Sequence, residues 1–103
     1  MAREYDKLVR DRIPEIVEAD GETPVIHAAE DTEYERRLRE KLDEEIAEFH
    51  EDDRVEELAD VLEVVYALCD LKGVSAERLE AIRAEKAEER GRFEERIVLD
   101  RVE

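Results

Sequence analysis

The chain has 103 residues, 49% of them charged, and carries a formal net charge of −16. That length is enough for one domain, spanning 1–103, with a modest core, and not for two. The acidic surface repels phosphate backbones and anionic bilayers, which excludes generic binding to nucleic acid or membrane.

So high a charge content often marks disorder, because too little apolar surface is buried to offset chain entropy. Here the apolar residues recur at helical spacing and the charges fill the gaps, which predicts a mainly α fold. Basic residues are overwhelmingly Arg, and a Lys-poor acidic surface suits a halophilic protein, whose self-repulsion is screened by salt. The single cysteine, Cys69, has no internal disulfide partner and lies on an apolar helix face. With no apolar leader and no apolar run of membrane-spanning length, the expected location is the cytoplasm.

In chain order, Tyr5–Arg12 is a short basic-tipped segment in which Leu8 and Val9 face the body. Pro14 suits the first turn of a helix and Gly21 its exit, which predicts a short helix over Ile13–Asp20. Thr23–Ala28 has the β-branched character of an extended segment. Thr32 and Glu35 have capping-box spacing, so a long helix is expected from Thr32 to His50. Glu51–Asp53 forms the turn, with Asp53 as the expected N-cap of a helix over Arg54–Leu71. Gly73 ends that helix, and Ser75 caps a last one reaching Arg92. The tail Arg96–Val102 alternates like a strand, which predicts a small two-stranded ribbon with Thr23–Ala28 beside an antiparallel helix bundle.

The chemistry centres on Lys41–Asp60. On the first long helix Tyr34, Leu38, Leu42, Ile46 and Phe49 define an apolar face; Glu45 falls within it, Glu48 on its margin, and Glu40, Lys41 and Glu44 point more outward. On the second, Glu57 falls inside the apolar arc and Asp60 at its edge. In an antiparallel hairpin turning near Asp52–Asp53, Glu48 stands level with Glu57 and Glu45 with Asp60. Four carboxylates brought together in an apolar seam need a cation or raised pKa values. An all-oxygen set favours Mg²⁺, Mn²⁺ or Ca²⁺. The competing explanation is that acid pairs at this spacing arise by chance in so acidic a chain and mark solvated faces. A di-iron centre is disfavoured, since neither His27 nor His50 has a glutamate three residues before it. On the last helix an apolar stripe, Leu79 and Ile82, continues as Arg83, Lys86 and Arg90. Aimed at a metal site, these bases would bind phosphate oxygens; otherwise they pair with nearby glutamates.

Glu44-Glu45-x-x-Glu48 followed by Glu57-x-x-Asp60 resembles the signature of the all-α nucleoside triphosphate pyrophosphohydrolases. Lys7–Ile16 (KLVRDRIPEI) and Glu89–Leu99 (ERGRFEERIVL) resemble the ends of a MazG-like subgroup labelled phosphoribosyl-ATP pyrophosphohydrolase-like. The resemblance implies Mg²⁺-dependent (or Mn²⁺-dependent) cleavage between the α- and β-phosphates of a nucleotide, releasing pyrophosphate. It implies Glu45, Glu48, Glu57 and Asp60 as metal ligands and Lys86 and Arg90 as phosphate contacts, with Lys7, Arg10 and Arg12 as weaker ones. It implies Glu44 as the group that orients or deprotonates water, and assembly as a dimer or tetramer. The chain departs from the family's pattern in the short gap between its acidic motifs and in Gly91-Arg92-Phe93, where relatives read Gly-Gly-Phe. The alternatives are a non-catalytic helical module that binds nucleotide or another protein and, within the enzyme class, phosphoribosyl-ATP itself as the substrate. If the surface is adapted to high salt, circular dichroism at 222 nm will show helicity falling as salt is removed; full helicity and activity in salt-free buffer would overturn that adaptation.

Overall fold

A computed structural model describes residues 3–103, and its regular structure is entirely helical: α1 (Ile13–Ala19), α2 (Asp31–Asp52), α3 (Val55–Leu71) and α4 (Ala76–Arg90). Pro14 sits in the first turn of α1, where its missing N–H costs nothing. The N–H of Gly21 then closes on the Glu18 carbonyl at 2.9 Å.

The 22-residue α2 begins before Thr32, at Asp31, with Glu30 in an extended N-cap conformation. The expected capping box therefore does not form, because Thr32 is already inside the helix and no side chain caps the end. Asp31 and Glu33 in the first turn face the positive end of the helix dipole instead. At the other end Asp53 is not an N-cap. It takes the left-handed conformation, φ 54°, and its N–H bonds the Phe49 carbonyl at 2.9 Å, so it terminates α2. Aspartate is among the few residues that tolerate this region at modest cost. Arg54 is extended and starts α3 directly.

At the end of α3, Gly73 has φ 75° and its N–H meets the Asp70 carbonyl at 3.0 Å, a backbone conformation that a Cβ would strain. Ser75 caps α4 as expected, its Oγ accepting from the Arg78 N–H at 3.1 Å. The helix stops at Arg90, two residues short of the expected end, with Gly91 at positive φ.

The ribbon is a correction. Neither Thr23–Ala28 nor Arg96–Val102 forms a strand, and all residues of 91–103 are exposed. Alternating β-branched residues fit a pleated surface only when a partner covers one face, and an isolated pair of strands is marginal in water.

The body of the fold is the antiparallel α2–α3 hairpin; α3 touches α4 over a short stretch. Leu38 and Val64 are the buried apolar residues among those described, at 2% and 7% exposure, and neither α1 nor α4 buries any residue. Cys69 is half-buried. The chain is extended, 62 × 32 × 24 Å with a radius of gyration of 18.2 Å, against ~13 Å for a compact domain of this length. Among the described residues no helix is long and apolar enough to cross a membrane.

With so little apolar burial, Leu38 should dominate hairpin stability. Leu38→Ala is expected to cost about 2–4 kcal/mol in urea denaturation, and Val25→Ala, at a solvent-exposed site, less than about 0.5 kcal/mol.

Candidate metal centre

Two like charges occupy the α2–α3 seam: Glu45 is 7% exposed and Glu57 5%. Their burial follows from the helical wheel, which places each within an apolar stripe, and from the two-residue turn Asp53–Arg54, which holds the helices in register. One carboxylate oxygen from each of Glu45, Glu57 and half-buried Asp60 lies within 4.8 Å of the other two. The second Glu45 oxygen, Oε2, is buried without a hydrogen-bond partner. An unsatisfied buried carboxylate oxygen costs free energy unless a cation or proton reaches it.

The chain supplies part of the counter-charge. Lys41 Nζ lies 3.2 Å from Glu45 Oε1 and 3.3 Å from Glu44 Oε2, with its side chain largely buried. Arg54 Nη2 donates to Glu57 Oε1 at 3.0 Å, and Arg10 Nη2 to Asp60 Oδ1 at 2.7 Å. Lys7 Nζ stands 3.5 Å from Glu44 Oε1. Burial is the largest single influence on the Lys41 ammonium and lowers its pKa, yet Glu45 and Glu44 together outweigh it and leave the group above the usual lysine value. The hydrogen bond to Glu57 raises Arg54.

Glu45, Glu57 and Asp60 thus converge as the wheel suggested, whereas Glu48 stands beside the group and is not one of its three converging oxygens. Half-buried, Glu48 has a carboxyl pushed above its ordinary range, first by the charge of Glu45, then by desolvation, by a hydrogen bond shared with Glu45 and by the charges of Glu57 and Glu44. Glu44 sits on the rim between two lysines.

Other expectations are corrected. Lys41 points into the seam, not outward. Its i,i+4 spacing to Glu45 is the sequence signal for this, as is the i,i+3 spacing of Arg54 to Glu57. Arg12 pairs with Glu15 at 3.2 Å on its own segment. Arg83 pairs with Glu80 at 2.6 Å within α4, which lowers the Glu80 carboxyl. Among the described residues the cations at the acid cluster come from α2, the α3 N-terminus and the N-terminal segment; Lys86 and Arg90 on exposed α4 make no ion pair with it. His27 Nε2 lies 3.0 Å from Glu33, and His50 occupies the last turn of α2, favourably placed for the helix dipole.

No family model and no solved structure matches the chain. An uncharacterized protein of Mycolicibacterium smegmatis is 60% identical to it over 42 residues, which span 41% of this chain and 43% of that protein.

Because Lys41 is the most buried of these counter-charges, Lys41→Ala should destabilise the metal-free protein by about 3 kcal/mol, the lower end for a broken buried pair. Adding Glu45→Ala should restore part of that loss in the same denaturation assay, giving a positive coupling in the double-mutant cycle.

Proposed function

We propose that this chain is a Mg²⁺-dependent nucleotide pyrophosphohydrolase of the MazG-like type, cleaving the α–β phosphoanhydride of a nucleoside triphosphate or related nucleotide and releasing pyrophosphate. The observation that carries the reading is the convergence of Glu45, Glu57 and Asp60 around a buried Glu45 oxygen that has no partner. Carboxylates alone form a hard-oxygen donor set, which suits Mg²⁺ or Mn²⁺ over zinc or copper. The oxygens are near enough that side-chain rotation would gather them on an ion, which binds such ligands at ~2.1 Å. Glu45, Glu57 and Asp60 would hold it, with Glu48 as the adjoining fourth acid.

When bound, such an ion neutralises phosphate charge and lowers the pKa of water. Glu44, held on the rim by Lys7 and Lys41, orients the attacking water or takes its proton. The water oxygen bonds to the α-phosphorus as the α–β anhydride breaks, the departing pyrophosphate takes that bond's electron pair, and the water's proton passes to Glu44 or to solvent. Of the cations expected to contact phosphate, Arg10 and Lys7 stand at this site, on Asp60 and Glu44 respectively. Arg83, Lys86 and Arg90 join them as phosphate contacts only if α4 folds against the hairpin. Arg12 is the weakest contact of the set. The exposed apolar side chains Leu58, Leu62 and Tyr66 on α3 support assembly into a homodimer or tetramer, and the proposed location is the cytoplasm.

A second reading, a non-catalytic nucleotide-binding or protein-interaction module, draws on the ion pairs that already neutralise part of the cluster. Pyrophosphate release from a panel of nucleoside triphosphates and phosphoribosyl-ATP, with Mg²⁺ or Mn²⁺, separates the two. Turnover of at least one substrate is expected. Glu45→Ala and Glu57→Gln should each fall below about a hundredth of the wild-type rate with helicity unchanged, since even supporting residues of metal sites contribute 10–100-fold. A folded protein without turnover on any substrate would favour the module, and near-normal rates in either variant would remove these acids from the site.

A further inference from the structure

We propose that residues 3–12 form a latch over the carboxylate cluster, whose Arg10 end is displaced by a divalent cation while its Asp6 end stays anchored. This inference rests on the metal-site reading above and concerns what the chain itself does when the ion enters.

The segment contains no helix or strand, and of its side chains Leu8 is half-buried and the rest exposed. Apolar burial therefore contributes little to its placement. Charge holds it: Arg3 pairs with Glu22, Asp6 with Arg37, Lys7 with Glu44 and Arg10 with Asp60. These ties differ in kind. Asp6 is backed by a rigid grip, because Arg37 donates both to its carbonyl oxygen at 2.9 Å and to its carboxylate at 2.8 Å. The Arg37 side chain is itself largely buried and fixed by Glu33 at 2.7 Å. Asp6 takes a left-handed φ of 44°, and its carbonyl and carboxylate both meet the same guanidinium.

The other end rests on the cluster. Arg10 holds Asp60 through one exposed ion pair of 2.7 Å, and Asp60 is one of the three acids whose oxygens converge. A cation among Glu45, Glu57 and Asp60 competes for the Asp60 carboxylate and adds a positive charge beside the guanidinium. Both draw on the charge of one carboxylate, and the ion repels the guanidinium, so the Arg10 contact weakens as the ion enters. A single exposed ion pair is a weak competitor against a divalent ion with three carboxylates. Arg10 is then released next to the ion, tethered four residues from the fixed Asp6, where its planar fork suits an anionic oxygen ligand such as phosphate.

The test uses the full chain with Mn²⁺ and Mg²⁺ as probes. Mn²⁺ binding is measured by electron paramagnetic resonance on wild type, Arg10→Gln and Arg12→Gln. Arg12→Gln removes the same charge two residues away, from a group paired with Glu15 and not with the cluster. In parallel the arginine Nε–H resonances are followed by NMR as Mg²⁺ is added. Arg10→Gln should bind Mn²⁺ about three- to fivefold more tightly than wild type, the scale set by a surface ion pair, and Arg12→Gln should differ by less than about twofold. The Arg10 Nε–H should shift and exchange faster with water on Mg²⁺ saturation while that of Arg37 stays in place. If Mn²⁺ binds but the Arg10 resonance does not move and Arg10→Gln binds no more tightly than Arg12→Gln, the latch is overturned and the metal site stands. If neither wild type nor Arg10→Gln binds Mn²⁺, the metal site is overturned and the latch with it.

Discussion

The interaction on which the structure turns is the burial of two carboxylates, Glu45 and Glu57, in the seam between α2 and α3. Two like charges removed from water repel each other and lose hydration, so the arrangement persists only with positive charge close by. The placement of the nearby bases follows from that need. Lys41 bends into the seam from the preceding turn, Arg54 reaches back from the start of α3, and Arg10 arrives across 50 residues of sequence. In a chain with 17 basic residues against 33 acidic ones, committing cations to one seam is a strong bias toward that location.

This gives the fold an uneven division of labour. The hairpin has a small apolar centre at Leu38 and Val64, whereas the N-terminal segment is attached by charge and α4 by a short contact. Salt acts on these parts with opposite sign. It screens the repulsion of a chain at −16, which favours compaction, and it weakens the exposed ion pairs that tie the N-terminal segment down. The partly buried pair of Lys41 with Glu45 is the least affected of these contacts, since burial reduces screening.

Much of this was legible in the sequence because the relevant signals are local. Pro14, Gly73 and Ser75 mark helix ends through backbone requirements that hold in any context, and all three act where expected. The inward direction of Glu45 and Glu57 follows from the period of the helix alone. What failed depended on long-range partners or on competing local options. The alternation in Arg96–Val102 has no covering surface, so it forms no strand. Thr32 could cap only if the helix began after it, and Asp31 starts the helix first. The inward reach of Lys41 is hidden on a helical wheel, because its long side chain bends toward Glu45, farther than its Cα direction suggests. The crossing of Arg10 to Asp60 left no periodic trace at all.

The turn at Asp53 carries an evolutionary consequence. A single left-handed residue separates the last residue of α2 from the extended Arg54 that opens α3, leaving no slack to absorb a change in length. Each residue added to or deleted from α3 ahead of Glu57 would rotate the rest of that helix by about 100° relative to α2, carrying Glu57 and Asp60 off the seam together. Point substitutions at the exposed positions of this hairpin are therefore far better tolerated than single-residue insertions or deletions, and chains that keep this tight turn should vary in residue identity while keeping the count of residues between Glu45 and Asp60 fixed.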